Sequence, residues 1–262
     1  MTPPPLTMQQ IALRLWESGS VFAGDEALLL IAEGLTPVAL ESAVARRARG
    51  LPLEHVLGWA EFDGLRVGVD EGVFVPRRRT ELLAREAAAA VSTGDVVVDL
   101  CCGSGAVGVA IAHRVPGIGL VAADIDPSAV ANARRNVEPL GGTVFQGDLF
   151  DALPATLRGR IAVLAVNAPY VPSAAIPSMP PEARDFEHLI ALDGGHDGLD
   201  VHRRIAAAVR EWLAPSGVLF IESSAGQASS TGAILERAGL VSRIVRDNEI
   251  DATVVVGSSV GA

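Results

Sequence analysis

The fold is decided by residues 96–108, which read VVVDLCCGSGAVG. A continuous apolar run ends there in a carboxylate and a glycine-rich turn, and a helical pattern over residues 106–113 follows. Continuous apolar strands are typical of parallel sheets that helices cover on both faces. Glycines at such a turn let the backbone approach a ligand closely, and the first turn of the helix presents free amides. The stretch therefore predicts a cofactor-binding loop in an α/β protein.

Strand-like and helical segments alternate from this stretch toward the C-terminus. Such alternation indicates a parallel sheet between layers of helices. After 96–100, strands are predicted at 119–123, 144–145, 161–166 and 218–221, with helices at 106–113, 127–137 and 201–212. A helix beyond Gly226 and two strands, near 241–245 and 253–256, end the pattern, and the link between these strands is too short for a crossover helix. We therefore predict a seven-stranded α/β sheet with an antiparallel last hairpin.

The residues before this sheet are predicted to form smaller units. Thr7 and Gln10 have the spacing of a helix capping box, and short helical segments follow as far as Gly50. Asp63-Gly64 then separates two short strand-like runs, and this dipeptide tolerates the positive φ angles of a tight hairpin turn. We predict a helical N-terminal domain for substrate recognition, a β-hairpin linker and a cofactor-binding domain, over residues 1–56, 57–75 and 76–262.

The composition argues against several classes of function. Asp and Glu number 31 against 21 basic residues, and the net charge of −10 repels a phosphate backbone. Every basic residue is Arg, so the sequence has neither a Schiff-base lysine nor the lysine of a Walker loop. Cys101 and Cys102 are adjacent and lack metal-ligand spacing. Without a run of roughly 18 apolar residues or a signal-type N-terminus, we expect a cytoplasmic protein that uses neither a membrane nor a metal.

The glycine-rich loop leaves the identity of the cofactor open. Gly103, Gly105 and Gly108 fit the Gly-x-Gly-x-x-Gly pattern of dinucleotide binders, and Asp124 ends the next strand where it can accept hydrogen bonds from ribose hydroxyls. Asp99 would repel a pyrophosphate, whereas its charge suits a ligand with a positive sulfonium. This favours S-adenosylmethionine. The alternative is that Asp99 caps the following helix.

A second segment follows the strand at 161–166 and reads Asn167-Ala168-Pro169-Tyr170. It is predicted to share the carboxyl edge of the sheet with the glycine-rich loop. It resembles the Asn-Pro-Pro-Tyr signature of methyltransferases that act on amide or exocyclic amino nitrogens. Such a nitrogen is a poor nucleophile, but hydrogen bonds from its N–H groups to the Asn side chain and a backbone carbonyl hold it facing the methyl group. The resemblance implies catalytic roles for Asn167, Pro169 and Tyr170.

A third element narrows the resemblance to one family. Residues 74–81 read FVPRRRTE and are similar to the Pro-Arg-x-x-Thr-Glu motif of the release factor glutamine N5-methyltransferases, the HemK/PrmC family. Residues 147–150, residues 192–199, and Glu222 with Gln227 match further elements of that family. The resemblance extends over nearly all of the chain from residue 36. It implies a Rossmann-like class I methyltransferase sheet and methyl transfer from S-adenosylmethionine to a glutamine amide of peptide-chain release factors.

The family's roles can be carried over to matching positions. The resemblance implies a protein substrate, S-adenosylhomocysteine as product and no metal. It also implies that Asp148 and Leu149 border the adenine. The implied cofactor-binding residues are Asp99, Cys101, Cys102, Gly103, Ser104, Gly105, Asp124, Ile125, Asp148, Leu149 and Asn167. The implied substrate-binding residues are Arg77, Thr80, Glu81, Asn167, Ala168, Pro169 and Tyr170.

The chain departs from the family pattern at three places. Cys101 stands where the family usually has Gly, and Ala168 replaces the first proline of the signature. Residues 248–254 lack an Arg that usually follows an Asp-containing turn. These departures indicate a divergent branch, and they bear more on the identity of the protein substrate than on the reaction.

Two other functions remain open at this point. The first is methylation of an amino group on a DNA or RNA base, which the acidic charge and the small number of aromatic residues, 3 Trp, 1 Tyr and 7 Phe, disfavour. The second is an NAD-binding oxidoreductase or a nucleotide sensor, which the glycine spacing alone supports.

Several polar residues receive structural interpretations. His188, His196 and His202 are interpreted as solvated loop or helix-surface residues, because methyl transfer needs no metal. The basic run at 77–79 is interpreted as a solvated face, except for Arg77, which the family motif includes. Trp59 is expected to pack against a neighbouring layer.

Overall fold

The computed structural model describes residues 6–259 of the chain. The first five residues of the predicted helical domain and the last three of the predicted cofactor-binding domain lie outside this range. The described chain begins with helices that pack around Ile11, Leu15, Leu30 and Val44. These helices are α1 (Met8–Glu17), α2 (Ala23–Ala32), α3 (Pro37–Ala48) and α4 (Leu53–Leu57).

The predicted capping box starts this helical module, which comprises α1 to α4. The hydroxyl of Thr7 accepts a hydrogen bond from the Gln10 backbone N–H at 3.3 Å, and the Thr7 backbone N–H donates to Oε1 of Gln10 at 2.9 Å. Two orphan backbone donors at the start of α1 are thereby satisfied. The prediction of a helix at this point is confirmed.

The predicted β-hairpin follows α4. Its strands are β1 (Trp59–Phe62) and β2 (Leu65–Gly68), and both turn residues have positive φ, 53° at Asp63 and 75° at Gly64. Phe62 packs into the core of the larger sheet. The indole of Trp59 donates to Oε1 of Glu33 at 3.1 Å, so the hairpin bridges the helical module and the sheet. Trp59 therefore contacts the neighbouring helical module, as expected, and it is half-buried there.

The predicted seven-stranded sheet is confirmed within residues 6–259. Its order is β5-β4-β3-β6-β7-β9-β8, with parallel pairing from β5 to β7 and antiparallel pairing of β9 with both β7 and β8. The strands are β3 (Val96–Leu100), β4 (Gly119–Asp124), β5 (Thr143–Gln146), β6 (Ile161–Val166), β7 (Leu213–Glu222), β8 (Val241–Asp247) and β9 (Ala252–Ser258).

Helices cover both faces of this sheet. They are α5 (Glu81–Ala89), α6 (Ala106–Arg114), α7 (Pro127–Val137), α9 (Asp200–Trp212) and α10 (Ala228–Arg237), whereas α8 (Pro181–Phe186) contacts the helical module through an ion pair of Glu182 with Arg47. Helix α5 is an addition to the predicted elements, although its sequence, ELLAREAAA, consists of strong helix formers. The Pro-rich segment 172–181 contains a 3₁₀ turn, Ser173–Ser178, and leads into α8. Among the helices of residues 6–259, none is both long and apolar enough to cross a membrane.

Candidate active site

A cavity of about 270 Å³ opens at the carboxyl ends of β3, β4 and β6. This is the edge of an open α/β sheet where ligands bind. The predicted glycine-rich loop and the segment 167–170, hereafter the acceptor segment, both line it. Every predicted site residue lines this cavity except Gly105 and Glu81.

The two exceptions have structural contacts of their own. Gly105 begins α6 with φ of +79°, and a Cβ there would lie 2.9 Å from Cγ2 of Val137 in α7. Glu81 begins α5, and its Oε1 accepts a hydrogen bond from the backbone N–H of Asp63 at 3.2 Å. The structure thus assigns Gly105 to close helix packing and brings Glu81 to the hairpin turn, away from the cavity.

Asp124 is held at the end of β4 by backbone amides. The N–H of Gly103 donates to its Oδ2 at 2.8 Å, and the N–H of Asp126 donates to its Oδ1 at 2.9 Å. Burial raises the pKa of Asp124, and these hydrogen bonds oppose the shift. The carboxylate is therefore fixed in one orientation at the cavity wall, with lone pairs left for further donors.

Asp99 behaves differently, because it is buried beneath α6. Only 1% of the residue is exposed, and its Oδ2 accepts the backbone N–H of Gly108, in the first turn of α6, at 2.8 Å. Burial raises the pKa of Asp99 to about 8. The geometry favours the capping alternative for Asp99.

The cysteine pair lies on the cavity wall as thiols. Cys101 has φ of +59°, in the left-handed region where a glycine is favoured. The backbone N–H of Cys102 donates to the carbonyl of Ala123 at 3.1 Å, which joins the loop to β4. Burial raises the pKa of both thiols. The described residues contain no cluster of three or more His, Cys, Asp or Glu residues arranged to hold a metal.

The interpretation of the histidines is correct at one position, incomplete at another and wrong at a third. His196 is exposed, as expected. His188 is exposed too, but its Nδ1 pairs with the carboxylate of Asp126 at 2.5 Å. His202 is fully buried, bonds the Thr231 hydroxyl at 3.0 Å, and has a pKa lowered to about 4 by burial. The expectation of a helix-surface residue fails there because α10 packs against α9.

The acceptor segment contacts the 3₁₀ turn Arg78–Thr80, which precedes α5. The side-chain nitrogen of Asn167 lies 3.4 Å from the Thr80 hydroxyl and donates to it. This contact uses the amide nitrogen, whereas the implied chemistry needs the amide oxygen as an acceptor. Ala168 is buried, with 1% of the residue exposed, and Pro169 and Tyr170 are half-buried.

Sequence reasoning missed an ion pair beside this segment. The hydroxyl of Tyr170 donates to Oε1 of Glu222 at 3.0 Å, and Nε of Arg79 donates to the same carboxylate oxygen at 3.3 Å. Burial raises the pKa of Glu222, and it also raises that of Tyr170. Arg78 and Arg79 are both exposed, as the interpretation of the basic run as a solvated face expects, but Arg79 is also paired with Glu222. The sequence did contain one signal for this pair. Glu222 is an acidic residue directly after a predicted apolar strand, on the edge of the sheet where ligands bind.

The other arginines of the cavity wall are also paired. Arg77 pairs with the buried carboxylate of Glu187, and Arg204 pairs with Asp148 at 2.7 Å. Among the described residues, the arginines that line the cavity are Arg77, Arg79 and Arg204, and each has a carboxylate partner.

The segment 192–199 packs behind the acceptor segment. Gly198 has φ of +78°, and a Cβ there would lie 2.2 Å from the carbonyl oxygen of Tyr170. The side chain of Gln227 donates to that carbonyl and to the carbonyl of Asp197, each at 2.9 Å. The glycine in this segment is therefore required by close contact with the acceptor segment.

The sheet order and this cavity define the class of protein as a class I methyltransferase. A family model described as "Methyltransferase small domain" matches residues 65–175. The fold is similar to that of the T. thermophilus 16S rRNA methyltransferase in complex with AdoMet and guanosine, at a TM-score of 0.54 and 20% identity, covering 77% of this chain and 49% of that chain.

Curated relatives define the family. The release factor glutamine methyltransferase of Geobacter sulfurreducens is 37% identical over 225 residues, which are 85% of this chain and 78% of that protein. The chain belongs to the release factor glutamine methyltransferase family. The 4-amino-L-phenylalanine/4-methylamino-L-phenylalanine methyltransferase of Streptomyces pristinaespiralis is 33% identical over 79% of this chain and 72% of that protein. Relatives with 33–37% sequence identity to this chain are therefore named for two different methyl acceptors, a release factor glutamine and a free amino acid.

Proposed function

We propose that this protein transfers a methyl group from S-adenosylmethionine to the side-chain amide nitrogen of a glutamine in a peptide-chain release factor, in the cytoplasm. The observation that carries the proposal is the presence of Asn167 and Asp124 on the walls of one cavity. The first offers an amide oxygen to an acceptor nitrogen, and the second offers a fixed carboxylate to a ribose.

The donor side of the cavity fits S-adenosylmethionine. Gly103, with φ of +54°, brings the backbone close to the cavity, and α6 begins directly behind it. Asp124 would accept from the ribose hydroxyls, while Asp148 and Leu149 would border the adenine. When bound, S-adenosylmethionine supplies a methyl group activated by its sulfonium, and S-adenosylhomocysteine is the product.

The acceptor side fits a planar amide. The Asn167 oxygen and a backbone carbonyl of the acceptor segment would accept the two N–H groups of the glutamine amide. This fixes the nitrogen in line with the methyl group and lets its lone pair localise. Bound S-adenosylmethionine would supply the methyl group, its carbon–sulfur bond breaking as the amide nitrogen bonds to the methyl carbon, and one N–H proton of the amide would leave to solvent. Ala168 keeps its backbone carbonyl, so this arrangement survives the loss of the first proline.

The charges of the cavity favour an acceptor within a protein over a free amino acid. The α-carboxylate of a free amino acid needs a cationic partner. Among the described residues, the cavity arginines already have carboxylate partners. A glutamine in a polypeptide carries no such charge. The net charge of −10 likewise disfavours a nucleic acid and suits the basic surface of a ribosome-binding factor.

The helical module offers a surface for docking such a protein. Apolar side chains that face solvent there include Leu13, Trp16, Val21 and Phe22, exposed by 55%, 66%, 84% and 66%. Exposed apolar patches of this kind mark interaction sites. We assign residues 1–56 to substrate recognition, 57–75 to a hairpin linker and 76–262 to the methyltransferase domain. Replacing Trp16 and Phe22 by Ser should raise KM for the intact factor and leave KM for a short glutamine peptide unchanged.

Labelled methyl transfer tests the proposed function. Wild-type protein with labelled S-adenosylmethionine is given a release factor, 4-amino-L-phenylalanine or ribosomal RNA as acceptor. We expect label in the release factor alone. Label in the free amino acid or the RNA, with none in the release factor, would transfer the assignment to that acceptor. If none of the three is labelled and titration calorimetry detects NAD binding but not S-adenosylmethionine, the methyltransferase assignment fails.

A further inference from the structure

The connection from β7 to α10 contacts the acceptor segment at two points. Glu222 is the last residue of β7, and Gln227 directly precedes α10. Glu222 reaches the hydroxyl of Tyr170, and Gln227 reaches the carbonyl of the same residue. The side chain and the main chain of Tyr170 are therefore both held by one connection.

We propose that Glu222 is a positioning residue for the acceptor segment. Its carboxylate binds the Tyr170 hydroxyl on one side and Arg79 on the other. Arg79 belongs to the same 3₁₀ turn as Thr80, whose hydroxyl contacts Asn167. One buried carboxylate thus contacts the acceptor segment through Tyr170 and, through Arg79, the 3₁₀ turn whose Thr80 accepts from Asn167. This role rests on the proposed function, because the acceptor segment is assigned there to the glutamine amide.

The energetic cost of Glu222 supports a role beyond stability. Its side chain is 3% exposed, and its second carboxylate oxygen, Oε2, has no hydrogen-bond partner among the described residues. Burying an under-satisfied carboxylate costs free energy, and a well-packed apolar residue of similar volume would stabilise the fold at least as well. What the carboxylate provides instead is a directed contact to two segments far apart in the sequence.

The ion pair also leaves this corner of the cavity nearly neutral. The titratable groups that face Glu222 are Arg79, from the 3₁₀ turn, and Tyr170, from the acceptor segment; the Thr80 hydroxyl also lies close. Arg79 is 44% exposed, so it meets solvent on one side and the carboxylate on the other. Without Arg79, Glu222 would be a buried charge with neutral neighbours, and it would gain a proton or displace the segment.

Hydrogen exchange and kinetics of Glu222→Gln test the positioning role. The glutamine keeps the shape and one acceptor but not the charge. We expect faster amide exchange in residues 78–80 and 167–171, with little change elsewhere. We also expect kcat to fall roughly 10- to 100-fold while cofactor affinity and Tm stay near wild type. The control is Asp247→Asn, which removes the charge of an ion pair outside the cavity, between Asp247 and Arg85 at 2.6 Å. This variant should change neither amide exchange in those residues nor kcat.

A double variant separates positioning from general damage. If Glu222 acts through Tyr170, Glu222→Gln combined with Tyr170→Phe should lower kcat no further than the worse single variant. Losses that multiply, or a fall in kcat matched by a fall in Tm, would overturn the proposal. Unchanged exchange in residues 167–171 of Glu222→Gln would overturn it whatever the activity. If wild-type protein labels no release factor while exchange changes as expected, the positioning contact stands and the proposed function fails.

A pH profile gives an independent test. In Arg79→Gln, Glu222 keeps its place without a cationic partner. Its neutral, protonated form is tolerated there and its charged form is not, so kcat should fall as pH rises. Arg79→Gln combined with Glu222→Gln removes that charge and should flatten the profile. A flat profile in the single variant, or an equally steep one in the double variant, would contradict the proposal.

Discussion

The two halves of the cavity are held together in different ways. The cofactor half, residues 99–105 and 123–126, is fixed by bonds from backbone amides to carboxylates. Gly103 donates to Asp124, and Gly108 donates to Asp99, each at 2.8 Å. These contacts join neighbouring strands and the turn between a strand and its helix. This half is therefore formed by the pairing of β3 with its neighbour β4 and by the turn into α6.

The acceptor half, residues 74–80 and 167–171, depends on side chains that are distant in sequence. Arg79 and Glu222 are 143 positions apart, and Arg77 and Glu187 are 110 apart. The buried carboxylates in these pairs are costly without their partners. Substitutions in the cofactor half should therefore act on binding, whereas substitutions in the acceptor half should act on turnover and on stability at high pH.

The largest expected effect is that of Asn167→Ala. Loss of the amide oxygen misorients the acceptor nitrogen, so methyl transfer should fall by about 10²-fold or more while S-adenosylmethionine binding stays largely intact. Rates and calorimetric titration would measure the two. Asn167→Asp should fail as well, because it places a negative charge in a neutral site. Near-normal turnover in both variants would remove the acceptor role from this segment.

Asp124→Ala should show the opposite signature. The fixed carboxylate of Asp124 would accept charge-assisted hydrogen bonds from the ribose hydroxyls. Without it, the binding free energy of S-adenosylmethionine should weaken by roughly 1 to 3 kcal/mol. At saturating cofactor, kcat should recover most of its value. Calorimetric titration measures the affinity, with circular dichroism as the control for folding. A folded variant with wild-type affinity would show that the ribose lies elsewhere.

Arg77→Gln tests the cost of the buried carboxylates. Burial raises the pKa of Glu187, and Arg77 opposes that shift. Without Arg77 the folded-state pKa rises further above its unfolded value, so stability should fall as pH increases from about 4 through that pKa. Because Arg77 is 31% exposed, we expect a loss of about 1 to 2 kcal/mol at pH 8 and less at pH 5.

Denaturant unfolding at the two pH values measures this loss. Arg85→Gln is the control, since its partner Asp247 is 24% exposed and keeps access to solvent. If Arg77→Gln were equally stable at both pH values, the buried carboxylate of Glu187 would not depend on Arg77, and the acceptor half would not differ from the cofactor half in this respect.

The smallest expected effect is that of Cys101→Gly. Because Cys101 has φ of +59°, a glycine relieves a backbone conformation that costs an L residue about 1 kcal/mol. We expect a small rise in Tm and cofactor affinity equal to or slightly above wild type. A loss of stability would indicate that the packing of the thiol outweighs the backbone strain.

The sequence was most informative where chemistry follows directly from a strand. Asp124 and Asn167 were predictable because each ends or follows an apolar strand, and parallel strands bring such positions to one edge. The left-handed position of Cys101 agrees with the glycine that the family usually has there. In these cases the signal lies within a few residues of the site.

The remaining contacts had no local signal or a signal that was misinterpreted. Nothing near Arg79 indicates that it meets Glu222, because only the folded sheet brings them together. His202 did carry a local signal: it shares a helical face with the buried residues Ile205, Val209 and Trp212, at spacings of three or four. That periodicity predicts burial more directly than the residue type predicts exposure.

The most direct test of the central claim is mass spectrometry of a release factor treated with this protein and S-adenosylmethionine. Peptide mapping locates any added methyl group. The family resemblance implies the glutamine of a Gly-Gly-Gln loop as the acceptor, so a factor with that glutamine changed to Asn serves as the control. We predict a mass gain of one methyl group on that glutamine, with none in the control or with Asn167→Ala protein. An unmodified glutamine after treatment with protein that binds S-adenosylmethionine, or a methyl group on another residue, would contradict the account.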